Sequence, residues 1–203
     1  MSKERIIYSL IVAAGKGSRM NSDLPKQLMP YGGSTVLEAV VRKFYTHPKI
    51  DAVVVVSPED GSLDDRYDEL LTPLTVGNEK CILGTTGGEE RYESVCNGLD
   101  LILGDALYNG YDPENVLVLI HDAARPGITA EIIDNNIAAM DKCRAVVTAV
   151  PSIDILECST GIDKTLTTKK LKVVGFVSSS YYVSIVQKGQ LAITWSFSRR
   201  RIW

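Results

Sequence analysis

Short, almost unbroken apolar runs alternate along this chain with longer stretches in which apolar residues recur every three or four positions. Residues 5–13 are β-branched and nearly continuous, the pattern of a strand buried on both faces. Residues 35–45 carry Val36, Leu37, Val40, Val41 and Phe44 at helical spacing. A second buried strand is expected over 52–56, closed by Ser57-Pro58, then a short polar helix over 64–71 and a third strand over 80–83. Residues 91–103 place Val95, Leu99 and Ile102 on one helical face. The strongest strand signal, 115–120, runs into His121-Asp122. Thr129 reads as the N-cap of a helix over 131–143 with Glu131 in its first turn, and 145–150 as a further strand stopped by Pro151.

Strand–helix alternation of this kind predicts an α/β fold, a mostly parallel sheet with helices on both faces. Ligands of such sheets bind beyond the carboxyl ends of the strands. Three glycine-rich or charged segments fall at those ends: 13–19, 84–94 and 121–126. Neither an internal repeat nor a linker interrupts the pattern.

Composition narrows the chemistry. With 203 residues, 45% of them hydrophobic, the chain can bury one sizeable core. A net charge of −3 argues against a general nucleic-acid or acidic-membrane binder, so an anion site has to be built locally. The start, Met1-Ser-Lys-Glu-Arg, lacks the character of a secretion signal, and no run is long enough for a membrane span, so a cytoplasmic location is expected. The four cysteines (Cys81, Cys96, Cys143, Cys158) are widely spaced and read as reduced and structural.

The first of the three segments, Ala13-Ala14-Gly15-Lys16-Gly17-Ser18-Arg19, takes a strand straight into a glycine turn, and Pro25-Lys26-Gln27 follows. Glycines let backbone N–H groups approach a phosphate, and the arginine and lysine then add two cations. A plain strand-to-helix turn is the bland alternative. A dinucleotide fingerprint fits poorly: the third glycine is missing, and no acid ends the next strand. A Walker loop is excluded because Gly17 follows Lys16. The second segment, Gly87-Gly88-Glu89-Glu90-Arg91-Tyr92-Glu93-Ser94-Val95, reads either as a helix start or as a base-contacting turn with Arg91 and Ser94 on one helical face. The third, His121-Asp122-Ala123-Ala124-Arg125-Pro126, offers a carboxylate for hydroxyls and a guanidinium for phosphate, or simply a local Asp122–Arg125 ion pair.

Taken together, these segments resemble the 2-C-methyl-D-erythritol 4-phosphate cytidylyltransferase family and its sister ribitol-5-phosphate cytidylyltransferases. The resemblance covers about residues 6–158. It implies a Rossmann-like sheet of the nucleotide-diphospho-sugar transferase type, with a β-arm near 151–172. It implies an enzyme that joins CTP to a polyol phosphate and releases pyrophosphate. Arg19 and Lys26 would be catalytic. Ala13, Ala14, Gly15, Gly17, Gly87, Arg91, Ser94 and Ala123 would bind the nucleotide, and Asp122 and Arg125 the polyol phosphate. Mg²⁺ would be held mainly by the CTP phosphates, and the β-arm would make a homodimer. Ala124, where the ribitol branch tends to carry Val, favours the methylerythritol branch.

The resemblance is incomplete in three places. Glu89 stands where the family often has Asp. The arm motif, D-T-(I/V/M)-K in the family, reads Asp154-Ile155-Leu156-Glu157, and Lys169 and Lys170 are the nearest stand-ins for the arm's arginine. Residues 1–172 are therefore expected to form the nucleotidyltransferase domain. Residues 173–203 form a tail without family signal, the product expected of a truncated or frame-shifted reading frame.

Overall fold

The structure, a computed structural model, describes residues 5–15, 24–61, 64–77, 80–141, 146, 148–152 and 170–173. They fall into two compact units, one ending at Ala130 and the other beginning at Glu131.

In the first unit four strands form one parallel sheet: β1 (Ile6–Val12), β4 (Ala52–Ser57), β5 (Cys81–Thr86) and β6 (Val116–Asp122), in the order β5-β4-β1-β6. Between them come a small hairpin, β2 (Pro30–Tyr31) with β3 (Ser34–Thr35), and three helices, α1 (Val36–Tyr45), α2 (Asp64–Thr75) and α3 (Arg91–Tyr108). The chain moves outward from β1 to β4 and β5, then returns to the other side of β1 with β6. The order reverses between β1 and β6, which makes their carboxyl ends the switch point where doubly wound sheets take ligands.

Alternation along each strand decides what faces which helix. Tyr8 and Leu10 of β1, with Val54 and Val56 of β4, pack against Val95 and Ile102 of α3 in one core cluster. Gly98 lets α3 lie close, since a Cβ there would come 2.3 Å from Leu10 Cδ1. Leu10 is fully buried, worth about 1.5–3 kcal/mol of hydrophobic stabilisation. The opposite face belongs to α1, whose Phe44 ring lies 5.3 Å from the His121 ring. Two polar contacts tie the amino half of β1: the Tyr8 hydroxyl donates to Asp105 Oδ2 of α3, and the Ile7 N–H donates to Asp51 Oδ2. Thr35 caps α1 by accepting from the Glu38 N–H, and the Lys80 ammonium donates to the Tyr45 and His47 carbonyls at its far end.

In the second unit, α4 (Ala130–Ala139) begins at the unit boundary, and Asn136 and Thr148 exchange hydrogen bonds of 2.7 and 3.0 Å. β7 (Ala149–Ser152) pairs antiparallel with β8 (Lys170–Val173), with Pro151 opposite Leu171. This pair brackets the segment where the β-arm is expected. The arm's interior, with Asp154, Ile155, Glu157 and Lys169, lies outside the described residues, as do Cys143, Cys158 and the tail beyond Val173.

The α/β expectation holds, with corrections at element ends. Pro151 does not stop a strand; it sits within β7, in a two-stranded pairing where a missing N–H is tolerated. The helix expected over 64–71 continues through Pro73 to Thr75. The helix expected to reach residue 143 ends at Ala139, and the third strand extends to Thr86. The β2–β3 hairpin was not anticipated. Its Gly32-Gly33 turn has φ of +57° and +87°, the two positive values that a two-residue hairpin turn of the favoured kind requires. Cys81 and Cys96 are free but exposed, so neither is a buried structural thiol.

Candidate active site

Three loops converge at the carboxyl ends of β1, β5 and β6. The loop after β1 starts at Ala13, whose N–H donates to the Val56 carbonyl. The loop after β6 starts at Ala123, whose N–H donates to the Val12 carbonyl. The loop after β5 starts at Gly87, whose N–H donates to the Ser57 carbonyl at 2.8 Å. Gly87 is required for contact between loops. A Cβ there would lie 2.5 Å from Ser94 Oγ and 2.7 Å from the Ala14 Cβ. Ser94, buried in the first turn of α3, turns its hydroxyl back and accepts from the Gly88 N–H. Glu93 accepts from the Glu90 N–H at the helix start. Ala14, Gly87 and Ser94 are thus packed together.

At the end of β6 the strand alternation separates two neighbours. His121 turns toward Phe44 of α1, and Asp122 turns toward the start of α3. The Asp122 carboxylate is shared by two guanidiniums. Arg91 donates to Oδ1 through Nε at 3.2 Å and a terminal nitrogen at 2.6 Å, and Arg125 Nε donates to Oδ2 at 2.9 Å. The Asp122–Arg125 ion pair, the blander alternative for this segment, is therefore present, and Arg91 joins it. Burial pushes the Asp122 carboxyl up, but the Arg91 hydrogen bond and charge, followed by those of Arg125, hold it below the usual carboxylate range. The arginine side chains stay 34% and 48% exposed, against 24% for Asp122, so both guanidiniums reach the surface beside a carboxylate that lies deeper.

His121 is buried and holds the loop. Its Nε2 lies 3.0 Å from the Arg125 carbonyl, and because a carbonyl only accepts, Nε2 carries the proton. Burial pushes its pKa down, in keeping with a neutral imidazole. Lys43 of α1 completes the support, donating to the Pro126 and Ile128 carbonyls at 2.7 and 2.9 Å.

The P-K-Q segment forms a 3₁₀ turn, Lys26–Leu28. Lys26 is exposed, while Gln27 is buried and donates to the Ala13 carbonyl at 2.9 Å and the Gly15 carbonyl at 3.1 Å. Tyr67 of α2 also donates to the Ala13 carbonyl, at 3.0 Å. Sequence reasoning named Lys26 but gave no role to Gln27, Lys43 or Tyr67. A glutamine next to the lysine, in a segment expected beside a glycine loop, was the available signal. Gly17 and Arg19 lie outside the described residues. Of the remaining expected site residues, Ala13, Ala14, Gly15, Gly87, Ala123 and Arg125 lie on the loops described here, Lys26 on the 3₁₀ turn, Asp122 at the end of β6, and Arg91 and Ser94 in the first turn of α3. Among the described residues no group of three or more His, Cys, Asp or Glu side chains could hold a metal ion, and no helix is long and apolar enough to cross a membrane.

Residues 7–174 match the family model described as IspD, 2-C-methyl-D-erythritol 4-phosphate cytidylyltransferase. The chain is 36% identical over 162 residues to a protein of that name from Clostridium botulinum strain Okra, covering 77% of this chain and 62% of the relative. It is 33% identical over 156 residues to the bifunctional ribulose 5-phosphate reductase/CDP-ribitol pyrophosphorylase Bcs1 of Haemophilus influenzae, covering 77% of this chain and 30% of that one. The crystal structure of 4-diphosphocytidyl-2C-methyl-D-erythritol synthase from Anaerococcus prevotii superimposes with a TM-score of 0.63 at 26% identity, over 84% of this chain and 68% of that one. The chain spans between about half and two thirds of the length of the first curated relatives, 53–62%.

Proposed function

The chain belongs to the 2-C-methyl-D-erythritol 4-phosphate cytidylyltransferase family, and from that premise we propose that it transfers the cytidylyl group of CTP to 2-C-methyl-D-erythritol 4-phosphate. The observation that carries this reading is the meeting of three loops at the β1/β6 switch point, with the Arg91–Asp122–Arg125 cluster beside Gly87 and Ser94.

An oxygen of the acceptor's phosphate bonds to the α-phosphorus of CTP. The bond from that phosphorus to the bridging oxygen breaks, and its electron pair leaves with pyrophosphate. A phosphate dianion needs no general base, so catalysis is positioning and charge stabilisation. Lys26, exposed beside the glycine loop, and Arg19 would meet charge developing around the α-phosphorus. Gly87, Arg91 and Ser94 would meet the cytosine side of the nucleotide, and Arg125 would grip the acceptor phosphate while Asp122 receives its hydroxyls. Mg²⁺ would enter with the triphosphate. Because Asp122 is already bonded to two guanidiniums, the described residues make no cage for a cation, and no step is assigned to it. The enzyme would work in the cytoplasm as a homodimer through the β-arm, a reading supported by the β7–β8 pair at the base of that arm.

Ribitol 5-phosphate is the second candidate acceptor, supported by the similarity to the CDP-ribitol pyrophosphorylase. Pyrophosphate release from CTP, assayed separately with the two polyol phosphates, tests both. Turnover with methylerythritol phosphate well above that with ribitol phosphate is expected. Release from another nucleoside triphosphate but not from CTP would overturn the cytidylyl assignment, and CTP binding without any release would mark the chain as a binding domain.

A further inference from the structure

Gln27 is polar and 4% exposed, and it spends both amide hydrogens on backbone. Its two acceptors, the carbonyls of Ala13 and Gly15, are two residues apart on the first turn of the glycine loop. The Tyr67 hydroxyl, also buried, donates to the Ala13 carbonyl from a different helix. Two side chains far apart in sequence therefore converge on the carbonyl oxygens of one short segment.

In a trans peptide the C=O and the following N–H lie in one plane and point in opposite directions. Holding the Ala13 carbonyl toward Gln27 and Tyr67 thus aims the Ala14 N–H away from them. An unheld glycine-rich loop would be free to turn a carbonyl outward, and a carbonyl facing a triphosphate of about four negative charges repels it. We propose that Gln27, assisted by Tyr67, is a positioning residue that locks the Ala13 and Gly15 carbonyls inward at the start of the glycine loop, so that neither is turned toward the triphosphate and the Ala14 N–H is aimed away from the two donors. The triphosphate part of this inference rests on the function proposed above; the locking of the loop does not.

The variants are Gln27→Met, which keeps length and apolar bulk but donates nothing, Gln27→Glu, which sets a carboxylate against two carbonyls, and Tyr67→Phe, which removes one of the two donors on Ala13. Hydrogen exchange of the ligand-free protein is measured first. Peptides covering 10–18 are expected to exchange several-fold faster in both Gln27 variants and slightly faster in Tyr67→Phe, with β4 and α3 unchanged. Unchanged exchange at 10–18, or a rise spread over the whole sheet, overturns the lock. Binding of CTP and of CMP is then compared by calorimetry. Gln27→Met is expected to weaken CTP about tenfold and CMP less than about twofold, because only CTP carries the outer phosphates. Equal weakening of the two nucleotides overturns the triphosphate role. Failure of the unmutated protein to bind either nucleotide would instead refute the proposed function and, with it, the triphosphate role, while the exchange result still decides the lock.

Discussion

Two loops leave the carboxyl ends of adjacent strands and are held by opposite means. The loop after β1 is fixed through its carbonyls by uncharged donors, Gln27 and Tyr67. The loop after β6 is fixed largely by charge: Asp122 between Arg91 and Arg125, and the Lys43 ammonium on the Pro126 and Ile128 carbonyls. The first arrangement contains no charged group, so nothing in it competes with an anionic ligand, and it acts as a wall. In the second, an anion approaching Arg125 must share a guanidinium with Asp122, so the ligand competes with the contacts that shape the loop.

The contrast can be broken in four ways, the strongest first. Lys26→Ala is expected to cut turnover by about 10²–10³ while changing CTP affinity less than about threefold, measured by pyrophosphate release and by calorimetry. A parallel loss of affinity would make Lys26 part of the wall and not of the reaction. Gly87→Ala drives a methyl into Ser94 and Ala14, where the β5 and β1 loops touch, and is expected to cost about 1–3 kcal/mol in urea unfolding. Gly104 of α3, where an added methyl meets nothing within 4 Å, supplies the control, since Gly104→Ala should stabilise by about 0.5–1 kcal/mol. Asp122→Asn removes the carboxylate charge that two guanidiniums share. It is expected to lower stability by about 1–2 kcal/mol, between the values typical of exposed and buried pairs, and to raise the KM of the acceptor more than that of CTP. A loss below about 0.5 kcal/mol would mean that charge does not hold this loop.

The fourth test is pH. His121 has a depressed pKa in the folded state, so the unfolded chain takes up its proton first as pH falls. Its contribution is complete above about 6.5 and is lost as pH drops through the folded value. Asp122 is also depressed, and its contribution declines only below about 3.9. Melting temperature should therefore sag between pH 7 and 5, and sag less in His121→Phe whatever that variant's absolute stability. An identical slope in both proteins would remove His121 from the hold on the β6 loop.

Local periodicity made most of the sheet legible. Unbroken apolar runs marked β1, β4 and β6, and helical spacing marked α1 and α3, because in each case burial follows a simple repeat. Tyr67 was hidden because α2 reads as polar: its buried side is only Tyr67, Leu71 and Leu74, and Pro73 falls between them. The hairpin around Gly32-Gly33 left little trace in the pattern, because each of its strands is only two residues long. At the site, the sequence motifs named residues one by one. They did not show that Arg91 and Arg125 share one carboxylate, since that depends on α3 starting beside the end of β6. Gln27 was named only as the neighbour of Lys26, because the burial that gives it a role depends on partners, Ala13 and Gly15, that the fold brings to it.

β1 carries a further consequence. A strand with one wet face finds its register by hydrophobicity, since a one-residue slip exposes the wrong side chains. β1 is buried on both faces, so that signal is weak, and something else has to index it. The Tyr8 hydroxyl on Asp105 and the notch that Gly98 leaves for Leu10 are specific to single positions. They work as a ratchet stop at the lower and middle part of the strand. Each residue of slip would move the strand's exit by about 3.3 Å. The height at which the glycine loop emerges is therefore set several residues before the loop begins, by groups that need never touch a substrate.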